Sequence, residues 1–387
     1  MRGVSDRRKV METLDPHGCS VLLVTDPATI TWLADIEFPF AAHFPERPLC
    51  CMIFRDGAAV LAAPHEWIQG IADQGWDGEL VPYSDGQADA LALLARSAAE
   101  AFADKGAHKA GAGIEVQRLP AALAEMLEKE LPWVRWTGLD APLRSFRSRK
   151  TDDQLDRLKT AAEQLEFGII AALQHLEGSL EDTGYTAAEF CERIRVHVYE
   201  SGGTAGGMAC AAAGDNARLW WGIPRGKFVP GELVRVEATS CYRGYWANAS
   251  RMITMGEASL LQARAYRENL DLKQKVLELL RPGAPCGSIY ERIVEIAQDE
   301  GVELRSEFGI GHGIGVSERE APYLARDDDT PLEEDMCMVV SLYTAGPQKE
   351  LICSKDTYRI TAQGPVCISS FHDWEAPYPV TGFRSAH

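Results

Sequence analysis

One histidine stands in a run of glycines at FGIGHGIGVSEREAPYL, residues 308–324, and a mixed acidic and basic cluster follows it. An imidazole on a glycine-rich backbone, with carboxylates close behind, has the look of half a metal site. It also suits a general acid or base, since histidine titrates near neutral pH. Its plain structural use is a hydrogen bond inside a tight turn. The other half of a metal site must come from elsewhere in the chain. The ten cysteines do not supply it: they are scattered without metal or disulfide spacing, and Cys50 and Cys51 are adjacent. They are expected to be reduced, mostly buried thiols.

The elements that must position His312 belong to a chain of 387 residues, 46% hydrophobic and 25% charged, the make-up of a soluble globular protein with room for two domains. A net charge of −18 argues against nucleic acid or an anionic membrane as partner, because both need a basic surface. The first residues, MRGVSDRRKVMETL, lack an apolar core, so no signal peptide is expected, and no uncharged apolar run approaches a membrane span. The expected location is the cytoplasm.

The first part of the chain alternates strands and helices. Val21–Val24 reads as a buried strand, Leu49–Pro64 as a hairpin turning at Asp56-Gly57, and Gly111–Val116 as a further strand. Ala88–Ala103 and Leu119–Glu130 read as helices. The texture changes near Arg147. Thr151 is a plausible helix N-cap, with Asp152 and Asp153 in the first turn and apolar residues at helical spacing behind them. The reading is therefore a small α/β domain over 1–147 and an α+β domain over 148–387. The second should hold further helices over Thr186–Ser201, Ser259–Leu280 and from Cys286-Gly287 to Gly301. Its strands should be Leu233–Thr239, Tyr245–Met255, Met336–Tyr343 and Thr357–Thr361, mostly antiparallel. The stretch SGGTAGGMACAAAGDN, 201–216, is either a linker or a strand passing close to a ligand.

This order of elements, with GHGIG and E-A-P near the end, resembles the creatinase/prolidase/aminopeptidase P family, peptidase family M24, over essentially the whole chain. The resemblance implies a creatinase-like N-terminal domain, a "pita-bread" C-terminal domain and a homodimer. In metal-dependent members two divalent ions are held by two aspartates, one histidine and two glutamates, and activate a water. Carried over one at a time, the first aspartate falls on Glu237 in VRVEATS, and the second, eleven residues on, on Asn248 in GYWANASR. The histidine is His312. The glutamates fall on Ser341 in CMVVSLYT and Lys355 in CSKDTYRIT. One ligand survives, one is changed in length and three are lost. An ammonium group repels a divalent cation and offers no lone pair, so no metal or other cofactor is expected. Of two further family histidines, one falls on Arg319, with Glu320 kept beside it, and the other on Trp221. Creatinase, a metal-free member, implies C–N hydrolysis with a proton-shuttling histidine, but that position is Trp221 here. The pocket also looks too cationic for a guanidinium substrate.

The expected activity is therefore a metal-independent enzyme that hydrolyses or cleaves a C–N bond in a small amino-acid-like or carboxylate-bearing molecule. His312, Lys355, Glu237 and Glu320 are the candidate catalytic residues. His312 would serve as acid or base, and Lys355 as an oxyanion-stabilising cation or, if burial neutralised it, as a base or Schiff-base amine. Trp220, Trp221, Asn248, Arg319, Ser341 and Tyr343 are the candidate substrate-binding residues, joined by Arg47, which the resemblance would bring from a neighbouring subunit. Cys210 or Cys241 could supply a thiol. Lyase or cyclase chemistry, a non-catalytic peptidase-like binding module, and a metallo Xaa-Pro peptidase with unusual ligands stand as alternatives.

Overall fold

The computed structural model describes residues 4–39, 41, 44, 46–84, 90–104, 111–179, 185–220, 226–368 and 374–381. The chain divides into two compact units, Met1–Arg147 and Ser148–His387.

The first unit is α/β. Its sheet comprises β1 (Cys19–Val24), β2 (Cys50–Phe54), β3 (Ala59–Pro64), β4 (Glu79–Tyr83), β5 (Gly111–Ile114) and β6 (Arg135–Gly138), in the order β4-β3-β2-β1-β5-β6. The β1–β2 and β2–β3 pairs are antiparallel, whereas β4, β5 and β6 pair parallel to their neighbours. Helices α1 (Val4–Leu14), α2 (Pro27–Ala34), α3 (Ile68–Asp73), α4 (Ala90–Asp104), α5 (Ala121–Glu130) and α6 (Asp140–Ser148) accompany it. The β2–β3 turn needs Gly57: its φ is +84°, and a Cβ there would stand 2.2 Å from the Val4 carbonyl oxygen.

The second unit is α+β, with the pita-bread architecture. Helix α7 (Asp152–Ser179) leads to α8 (Ala187–Glu200), which Thr186 and Glu189 close with a reciprocal capping box. Strands β7 (Ala205–Ala212), β8 (Leu233–Tyr242) and β9 (Tyr245–Met255) follow. Then come α9 (Leu260–Leu279), capped by Ser259 and Gln262, and α10 (Cys286–Asp299). The chain continues with β10 (Gly311–Gly313), β11 (Glu320–Tyr323), β12 (Cys337–Ala345), β13 (Leu351–Thr361), β14 (Gly364–Cys367) and β15 (Tyr378–Val380). The sheet order is β11-β10-β12-β13-β9-β8-β7, with β14 on β13 and β15 on β9. All pairs are antiparallel except β15 with β9. The small-residue stretch is thus strand β7, not a linker. The last long strand begins six residues earlier than Thr357 and so contains Lys355.

Alternation along the strands decides what each face of this sheet does. Val234, Val236 and Ala238 of β8 and Ala247, Ala249 and Ile253 of β9 pack against Leu165, Ile169, Phe190 and Ile194 of α7 and α8. Met338, Val340 and Leu342 of β12 and Ile360 of β13 pack against Leu272, Val276, Ile289 and Ile293 of α9 and α10. A buried ion network crosses this helix-covered side: Arg251 bonds Glu166 and Asp356, each at 2.7 Å, and Lys273 bonds Asp356. The residues one position out of step, among them Arg235, Glu237, Asn248, Ser250, Ser341, Tyr343 and Lys355, are left for the opposite face.

Candidate functional site

That opposite face is polar and nearly closed to solvent. Antiparallel register sets Ser341 beside Lys355, Lys355 beside Ser250, and Ser250 beside Glu237. Glu237 lies at the centre. Lys355 Nζ stands 2.6 Å from Glu237 Oε2, and Arg235 Nε stands 2.5 Å from Oε1. The Tyr343 hydroxyl donates to both oxygens at 3.1 and 3.0 Å. All four side chains are buried. Burial works to raise the Glu237 carboxyl, but Lys355 and Arg235 outweigh it and hold it below the usual carboxylate range. Burial likewise works to lower Lys355, and the Glu237 charge reverses this, so its pKa rises and it stays an ammonium. That direction disfavours the neutral-amine role for Lys355, as base or Schiff-base nucleophile.

His312 comes from β10, whose Gly311 and Gly313 allow close approach: a Cβ on Gly311 would meet the Val339 carbonyl oxygen at 2.5 Å. The ring is fully buried. Nδ1 lies 2.9 Å from the Gly313 carbonyl oxygen. A carbonyl only accepts, so Nδ1 carries the hydrogen and Nε2 a lone pair, for which no partner is found among the described residues. Burial first, then the Arg319 and Lys355 charges, push the imidazole down to about 3. At neutral pH it is a neutral acceptor. That direction disfavours His312 as an acid–base group near pH 7 and leaves it an acceptor through Nε2.

Glu320 is buried too and pairs with Lys150 at 2.8 Å, whereas the neighbouring Arg319 is exposed. Lys150 also donates to the Ser148 carbonyl. This pair is distinct from the Lys355–Glu237 pair, and Glu320 therefore serves first to hold β11 to the start of α7. Trp220 is 47% exposed and stacks at 5.9 Å on Phe308, whose ring meets Tyr343 edge-on at 5.4 Å. It is a surface aromatic leading toward the Glu237 cluster, not core. Trp221 lies outside the described residues. Arg47 belongs to the first unit, 5.3 Å over the ring of Phe44. Cys210 sits across the ladder from Glu237, and Cys241 lies four residues further along β8; no two cysteines form a disulfide.

Three contributors escaped the sequence reading. Arg235 was detectable as a charged residue two positions from Glu237 on an otherwise apolar strand. It ties the site to the preceding segment, donating to the carbonyls of Leu219 at 2.7 Å and Trp220 at 3.2 Å. Glu318, half-buried, is a carboxyl that burial raises despite the Lys355 and Arg319 charges. Its place in SERE marked it only as one of several charges. Thr239, opposite Asn248 in the ladder, has a buried hydroxyl that, like Asn248 Oδ1, has no partner among the described residues.

The donor set does not fit a divalent ion. Among the described residues no three His, Cys, Asp or Glu side chains converge to hold one. Of the five ligand positions only Glu237 and His312 keep strong lone-pair donors, and the Glu237 oxygens are engaged by an ammonium, a guanidinium and a phenol. A fixed cation stands where a mobile one would bind.

Residues 156–362 match the model of metallopeptidase family M24, and residues 7–149 match the creatinase/prolidase N-terminal domain. A Xaa-Pro dipeptidase of Lactobacillus delbrueckii subsp. lactis is 24% identical over 334 residues, covering 86% of this chain and 88% of that protein. The X-Pro aminopeptidase structure from Thermotoga maritima superposes with a TM-score of 0.81 at 16% identity, covering 96% of this chain and 99% of the other. The prolidase of Pyrococcus horikoshii gives a TM-score of 0.78 at 18% identity, covering 95% and 99%. No helix among the described residues is long and apolar enough to cross a membrane.

Proposed function

The chain belongs to metallopeptidase family M24, and from that premise we propose that it hydrolyses a C–N bond in a small, amino-acid-like carboxylate, using Lys355 in place of a divalent ion. The observation that carries this reading is the 2.6 Å ion pair between Lys355 and Glu237 at two of the family's ligand positions. An ammonium held by a buried carboxylate is pre-oriented and needs no reorganisation when negative charge develops on a carbonyl oxygen. Nζ has three hydrogens and gives one to Glu237. Tyr343 and Arg235 keep Glu237 ionised and stationary, so the ammonium stays charged.

Hydrolysis also needs a proton carrier. Glu318 suits this role, since burial shifts it toward neutrality while leaving it half-exposed to substrate. In this scheme its carboxylate takes a proton from water as the water oxygen adds to the carbonyl carbon. The same proton then passes to the departing nitrogen as the C–N bond breaks. His312 contributes a neutral acceptor, and Arg319 a cation at the mouth. Trp220 and Phe308 line the approach.

The relatives named as Xaa-Pro dipeptidases favour a second reading, a peptidase that still takes up metal. Chelator-stripped protein should be assayed against dipeptides and acylated amino acids with and without Mn²⁺. Turnover that persists in chelator and disappears in Lys355→Met supports the first reading. Turnover seen only with added metal supports the second.

A further inference from the structure

The polar face has two adjacent rows. One holds Ser341, Lys355, Ser250 and Glu237, and its charges are matched internally. One step along the strands, Thr239 pairs with Asn248, two residues from Glu237 and Ser250 respectively. The same step along β12 and β13 leads from Ser341 and Lys355 to Val339 and Thr357, and Val339 pairs with His312. This second row carries three buried polar atoms without partners among the described residues: Thr239 Oγ1, Asn248 Oδ1 and His312 Nε2. Each side chain is at least nine-tenths buried. Thr239 and Asn248 are cross-strand neighbours, whereas His312 stands three strands further across the sheet. Buried acceptors left unmade are costly, so the Thr239–Asn248 pair beside a candidate active site points to a ligand that completes it.

The chemistry of that ligand follows from the atoms. Nε2 is a bare lone pair because Nδ1 donates to Gly313. Oδ1 is an acceptor and the threonine hydroxyl can accept. The complement of the Thr239–Asn248 pair is an N–H donor. Charge selects among such groups. Arg235, Lys355 and, near His312, Arg319 stand against Glu237 and the half-buried Glu318, whose carboxyl burial shifts toward neutrality. A positive environment disfavours ammonium and guanidinium groups and favours a neutral amide joined to a carboxylate.

Resting on the hydrolase reading above, we infer that the substrate is a carboxylate whose amide nitrogen bears hydrogen, such as an N-acylated amino acid. The row discriminates against tertiary amides, the Xaa-Pro bond included, because those nitrogens have no hydrogen to give. A site built around hydrogen-bonding partners rejects an analogue lacking the donor through the groups left unpaired.

The test compares N-acetylglycine with N-acetylsarcosine and N-acetylalanine with its N-methyl form, with alanyl-proline as the free-amine tertiary amide. Binding is read by saturation-transfer NMR and turnover by product release, on the intact protein, with chelator and with Mn²⁺. The secondary amides should be favoured at least about tenfold. Thr239→Val should leave the melting temperature unchanged or raised, because its hydroxyl has no partner to lose, while weakening the secondary amides about fivefold and the tertiary ones not at all. Equal handling of the N–H and N-methyl members, preference for alanyl-proline, or binding of none of them would overturn the inference. A secondary-amide preference that appears only with Mn²⁺ would sink the metal-free reading and leave this one standing. Metal-free turnover without the preference would do the reverse.

Discussion

Replacing Lys355 by methionine keeps the volume of the side chain and removes its charge. Two unit charges 2.6 Å apart attract by about 6 kcal/mol at an effective dielectric of about 20, and desolvation of both groups offsets much of it. Removing one partner of a buried pair costs about 3–5 kcal/mol, because the other is stranded. Glu237 would retain Arg235 and Tyr343, so the loss should fall at the low end, about 3 kcal/mol. For a unit the size of Ser148–His387 this is a fall in melting temperature of about 9 °C. Glu237→Gln alone should cost a similar amount, since it strands the ammonium. The two together should cost about 3 kcal/mol and not the sum, a coupling of about 3 kcal/mol. Urea unfolding of the four proteins, followed by tryptophan fluorescence and near-UV circular dichroism, measures the cycle. Additive losses, or a Lys355→Met protein as stable as the parent, would refute the ion pair and with it the resident cation.

Acid should weaken the fold through His312. Its imidazole is held neutral to about pH 3 while the unfolded chain binds the proton at about 6.5, so the stabilisation is complete above 6.5. It is lost as pH falls, at about 1.4 kcal/mol per unit, or about 3 kcal/mol by pH 4.5. The difference in stability between parent and His312→Gln should shrink by that amount over the same range, and a flat difference would contradict the neutral imidazole. Gly315→Ala should destabilise by about 1–3 kcal/mol in thermal melts, since its Cβ would stand 2.5 Å from Glu320 Oε1 and crowd the Lys150 pair. Arg235→Lys should preserve folding yet raise KM more than it lowers kcat, because the Leu219 and Trp220 carbonyls lose their fork and Trp220 is freed. An unchanged tryptophan emission in that variant would argue against the tether.

Much of the frame was visible in residue patterns because local rules decide it. Thr186 with Glu189 and Ser259 with Gln262 are capping boxes, and α8 and α9 begin there. The alternation in LVRVEATS and YWANASRM marks β8 and β9 and puts Glu237 and Asn248 on one face. Strand β13 begins before the stretch its apolar pattern marks, because Ser354, Lys355 and Asp356 interrupt that pattern. Those polar residues bond to partners distant in the chain, among them Lys273, Arg251 and Glu237. The GHG segment of β10 has no strand propensity of its own and is held by β11 and β12 on either side. The partnership of Glu320 with Lys150, 170 residues away in the chain, is a property of packing that spacing cannot express. So is the protonation of Lys355 and His312, which depends on burial and on which charges face each group.

The central claim is that Lys355 stands as a built-in cation where relatives of this architecture would place a metal. The most direct measurement is metal content after dialysis against Mn²⁺ and Co²⁺, by elemental analysis, for the parent and for Asn248→Asp/Ser341→Glu/Lys355→Glu. With the ammonium gone and oxygen ligands restored around His312 and Glu237, the variant should take up metal stoichiometrically and the parent should not. Stoichiometric metal on the parent chain would contradict the account.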